Sequence, residues 1–116
     1  MISAKEYYDR WHNTFGISED NFEKIIGFLA ATLDKEQFQD IISRENVPHS
    51  HTLTEKERWD MFTCVIFYGL SNIVTLSDEQ LQKDVVTFKI PEYYLTLLYT
   101  EARRLQEMNV SMFLSM

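Results

Sequence analysis

The sequence predicts an all-α protein, a single compact domain of about five to six helices across residues 1–116, with a central hydrophobic helix near residues 54–74. Three observations predict it. A capping residue, an acid or amide three positions on, and then apolar residues at 3–4 spacing recur along the chain. Only three Gly and two Pro are present, too few for the turns of a sandwich or barrel. The 116 residues are 45% hydrophobic, which suits one core that holds without disulfides.

Each element has its own start and stop. Ser3 with Glu6 opens the first helix, Tyr7, Tyr8, Trp11 and Phe15 form its apolar stripe, and Gly16 ends it. Ser18 opens the second, with Glu19 and Asp20 in its first turn, where they complement the helix dipole. Its stripe is Phe22, Ile25, Ile26, Leu29 and Leu33. Asp34 with Gln37 opens the third, whose face is Phe38, Ile41 and Ile42. It ends before Val47-Pro48, and Asn46 to Leu53 reads as a loop.

Thr54 with Glu57 opens the most hydrophobic helix. Trp59, Met61, Phe62, Val65, Ile66, Tyr68, Leu70 and Ile73 point nearly all round it, as on a helix packed from every side. Ser77 with Gln80 opens a short helix through about Val85, and Val85 to Phe88 reads as a brief extended piece with no partner strand. Pro91 suits a first helical position. The last helix carries Tyr93, Tyr94, Leu97, Leu98, Ala102, Leu105 and Met108, and an uncharged tail from Asn109 to Met116 follows. That tail is expected to dock on its own core or to join a partner.

Charge narrows the function classes. Eighteen acids against eleven bases give a net charge of −7. The densest basic cluster is the pair Arg103-Arg104, so no basic face is expected to displace counterions from nucleic acid or to sit on an anionic membrane. A helix-turn-helix over the third and fourth helices is disfavoured by the eight-residue loop between them. The N-terminal segment lacks the apolar run of a signal peptide, and the uncharged stretch Met61 to Ser77 is too short and too polar to span a bilayer. With Cys64 the only cysteine, no internal disulfide forms, and a cytoplasmic location is expected.

No motif specifies a chemistry. Cys64 lies in an apolar run and reads as a small buried hydrophobe. His49 and His51 form a candidate metal pair, but no HExxH or CxxC accompanies them, so a solvated loop is the better reading and no metal or other cofactor is expected. Asp9 and His12 share a helix face with no nucleophile nearby, which reads as local ion pairing. The pairs Glu19 with Glu23 and Glu36 with Asp40 sit on polar faces beside Lys24 and Lys35, not in a pocket that splits their pKa values. No catalytic residue is assigned, and the chain is not expected to be an enzyme.

Two features point to binding. From Glu19 to Glu45 there are seven acids and three bases. If the second and third helices form a hairpin, Glu19, Asp20, Glu23, Asp34, Glu36 and Asp40 make one acidic surface that steers a basic protein partner. The chain also carries sixteen aromatics, and Tyr8, Trp11, Tyr68, Tyr93, Tyr94 and Tyr99 cannot all point inward. The leading expectation is a small protein-binding inhibitor, an immunity protein or antitoxin that blocks a basic, nuclease-type toxin domain. The alternatives are a structural or adaptor subunit, including a homodimer that uses the aromatic and Met-rich surface, and a phage-encoded inhibitor.

Overall fold

The computed structural model describes residues 2–45 and 52–114, and the side chains within 2–43 and 52–108. Among them run six helices and no strand: α1 (Ala4–Phe15), α2 (Glu19–Ala31), α3 (Lys35–Glu45), α4 (Glu55–Ile73), α5 (Asp78–Phe88) and α6 (Glu92–Leu114).

The capping signals set the helix starts. Ser3, Ser18 and Ser77 stand at the N-caps of α1, α2 and α5, and each hydroxyl accepts from the backbone N–H three residues on. Thr54 and Glu57 form a reciprocal capping box on α4. Asp34 and Gln37 do the same before α3, at 2.8 and 3.1 Å. Gly16 closes α1 in the left-handed conformation at φ 69°, where a side chain would be strained.

Two boundaries differ from the sequence expectation. Val85 to Phe88 is not extended but completes α5, which ends on Lys89 in the left-handed region. A lone strand has no ladder to join, whereas this turn of helix packs Phe88 against Phe28 of α2 at 6.4 Å between ring centroids. The helix of Tyr93 and Tyr94 also runs past Met108, to Leu114. The docking expected of the side chains beyond Met108 lies outside the described residues.

Helix α4 is central: α1, α2, α3 and α6 all pack on it, and α5 packs on α2. The α2–α4 seam is the tightest. A Cβ on Gly69 would lie 2.6 Å from Leu29 Cβ, so the two helices approach as closely as they do only because that side chain is absent. Around the seam, Phe22 is fully buried and gathers Tyr8, Trp11, Trp59 and Phe62 at centroid distances of 5.2 to 6.4 Å. These rings join α1, α2 and α4 in one aromatic core, with edge-on, tilted and stacked contacts that add to area burial.

Candidate functional site

The predicted acidic residues come from two helices that do not form a side-by-side hairpin. Helices α2 and α3 meet α4 separately, joined by a short link at residues 32–34. Of the six acids, Glu19, Glu23 and Asp40 are held by side chains of α4. On α2, Glu19 and Glu23 stand one turn apart and share Arg58 of α4, Glu19 at 3.3 Å and Glu23 at 2.5 Å. Both carboxylates stay substantially exposed, at 56% and 41%. On α3, Asp40 accepts from the Tyr68 hydroxyl at 2.6 Å, and Asp34 is occupied in capping the helix. Asp20 and Glu36 are exposed in the first turns of their helices, and no described intramolecular contact uses them.

The acids that touch α4 are thus anchored at two points along it, Arg58 and Tyr68. Arg58 and Tyr68 lie ten residues apart on α4, roughly 15 Å along its axis. The Asp40 end is further fixed by a reciprocal amide pair, with Asn72 Nδ2 donating to Gln37 Oε1 at 2.8 Å and Gln37 Nε2 donating to Asn72 Oδ1 at 3.3 Å.

Sequence reading missed a second constellation, between α1 and α6. Helices α1 and α6 each pack on α4, and between them lies a groove of about 540 Å³. Glu101 of α6 is 95% buried there, since only 5% of it is exposed. Its carboxylate accepts from Arg10 Nη1 at 3.1 and 3.0 Å, from Arg104 Nη1 at 3.3 Å and from Trp11 Nε1 at 3.4 Å. Two cations and an indole N–H compensate one buried anion, which is what keeps a carboxylate tolerable at that depth. Burial pushes the neighbouring Tyr7 hydroxyl up from its ordinary pKa, and the charge of Glu101 pushes it further. Phe15 and Tyr93 stand over the groove at 55% and 61% exposure.

A signal for this network exists in the sequence. Glu101 falls on the apolar stripe of α6, three positions after Leu98 and four after Leu97, where an acid is out of place. Its partners Arg10 and Trp11 are some 90 residues away, and no local pattern links them.

The other candidates settle as follows. His12 does not pair with Asp9: its Nδ1 lies 2.9 Å from the Ile17 carbonyl oxygen, because the reversal at Gly16 carries that carbonyl back over the end of α1. Cys64 is half-buried. Of the six aromatics expected not all to point inward, Trp11 and Tyr94 are buried, Tyr8, Tyr68 and Tyr99 are half-buried, and Tyr93 is exposed. His49 and His51 lie outside the described residues. Among the described residues no group of three or more His, Cys, Asp or Glu is placed to hold a metal, and no helix is long and apolar enough to cross a membrane.

No family model, curated protein or solved structure matches this chain. The functional reading therefore rests on the two constellations themselves.

Proposed function

We propose that the chain is a protein-binding inhibitor whose acidic α2 face engages a basic protein partner. An intracellular immunity protein or antitoxin acting on a nuclease-type toxin domain fits this chemistry, because a domain that grips phosphates presents cations at its own groove. The observation that carries the reading is the Arg58 clamp. It holds Glu19 and Glu23 in fixed positions, leaves both carboxylates open to solvent, and keeps a net negative charge beside the uncommitted Asp20. Acceptors ordered before binding lose less side-chain entropy on binding. A phage-encoded inhibitor of a basic enzyme would use the same face in the same way.

The test is capture of the partner from native lysate on the tagged protein, with elution in a rising salt gradient. The expected result is one basic protein, in stoichiometric amount, released by salt. Retention that is indifferent to salt would favour the adaptor or homodimer reading instead, with exposed apolar residues such as Phe38 and Val86 carrying the contact.

A further inference from the structure

We propose that the α1–α6 groove is a binding site for a small amphiphilic monoanion, a medium-chain carboxylate being the simplest member of the class. The argument is independent of the acidic face and starts from charge. The charged side chains that line the groove are Arg10, Arg104 and Glu101, which sum to +1 on a chain of net −7. The single negative group is buried beneath the two guanidiniums, so the charge the groove presents to a ligand is positive.

Geometry supports the same ligand. Each arginine reaches Glu101 through Nη1 alone. The Nη2 and Nε donors of both are uncommitted to Glu101, and both side chains keep solvent access, at 39% and 58%. Glu101 therefore orders two guanidiniums while leaving donor edges for an incoming carboxylate. Beside them the walls are apolar: Phe15 from α1, and Tyr93 and Leu97 from α6. The volume of about 540 Å³ falls in the range of small-ligand sites, which pair apolar walls with a few converging polar groups. A cationic end with apolar walls selects a ligand with one anionic head and an apolar tail. A cationic amphiphile meets repulsion at the same head position.

Calorimetric titration with decanoate, below its micelle concentration, tests the proposal. Decyltrimethylammonium serves as the charge control. Saturable binding of one decanoate per chain is expected, with the cationic control at least about tenfold weaker. Arg104→Gln, on an exposed position, is expected to weaken decanoate about tenfold while leaving the helical circular dichroism unchanged. Thr100→Trp, which fills the groove from an exposed position of α6, is expected to abolish binding. Absence of saturable binding, equal affinity for the two amphiphiles, or an unaffected Arg104→Gln variant would overturn it. So would a wild-type dimer in sedimentation that Thr100→Trp dissociates, since a second copy of the chain would then cover the groove.

Discussion

The α2–α4 cluster and the α1–α6 cluster carry the same ionic motif with the signs exchanged. On the α2 side one arginine, Arg58, is shared by two carboxylates, and all three groups are at least one-third exposed. On the α1–α6 side one carboxylate, Glu101, is shared by two arginines, and the carboxylate is buried. Burial decides what each motif does. Exposed ions are already solvated, so pairing them adds little stability but fixes where negative charge sits. A buried ion has lost its water and depends on its partners, so the Glu101 network is structural first and leaves a positive rim as its by-product.

Breaking the buried side has the largest expected effect. Glu101→Ala removes the acceptor of Trp11 Nε1 and leaves two guanidiniums facing each other over an apolar floor. A loss of about 3 kcal/mol is expected in chemical denaturation, at the low end for a broken buried pair because both arginines keep solvent access. A loss under about 1 kcal/mol would show that the network is not a structural tie. Next is the α2–α4 seam. Gly69→Ala places a Cβ against Leu29 Cβ and Cα, and about 2 kcal/mol of destabilisation is expected despite alanine's better helix propensity.

Alkaline pH tests the buried phenols without mutation. Burial, aided by a hydrogen bond with Tyr93, raises the Tyr94 hydroxyl to about 12, and burial also raises Tyr7 and Tyr99. A phenol that holds its proton more tightly in the fold contributes stability fully below the ordinary value of 10.0, and that contribution is lost as pH rises from there through about 12. Denaturation midpoints should therefore fall over that window, with Tyr94→Phe flattening the fall. Smallest is the exposed side. Arg58→Ala should cost less than about 1 kcal/mol, and the cost should shrink further in high salt. A large, salt-independent loss there would erase the contrast between the two motifs.

The sequence made much of the frame legible. The capping residues Ser3, Ser18, Asp34, Thr54 and Ser77 each satisfy local N–H groups, so a few neighbouring residues suffice to reveal them. The centrality of α4 was legible because its apolar residues surround it. Stripe edges were less so. Phe15 and Phe38 continue apolar stripes yet are more than half exposed, while Phe28, off the expected α2 stripe, is fully buried. Helix α2 is covered by α5 as well as α4, which widens its buried face, and that neighbour cannot be inferred from spacing within α2. The acidic residues were legible as a surplus, but their anchor points on α4 were not. Arg58 reaches Glu23 across 35 positions, and only the fold brings them together. Gly69 carried no local signal either, since its role is set by Leu29 on another helix.

The most direct test of the binding claim uses the two of the six acids, Asp20 and Glu36, that make no contact among the described residues. Asp20→Lys with Glu36→Lys reverses charge on the α2 and α3 faces without disturbing the Arg58 clamp or the Tyr68 bond. Capture from one lysate is compared for the wild type, this double variant and the groove-filled Thr100→Trp protein. The account predicts that a basic, salt-released partner binds the wild type and Thr100→Trp alike and is lost from the double variant. Retention by the double variant, with loss from Thr100→Trp, would contradict it and move the protein-binding surface to the α1–α6 groove.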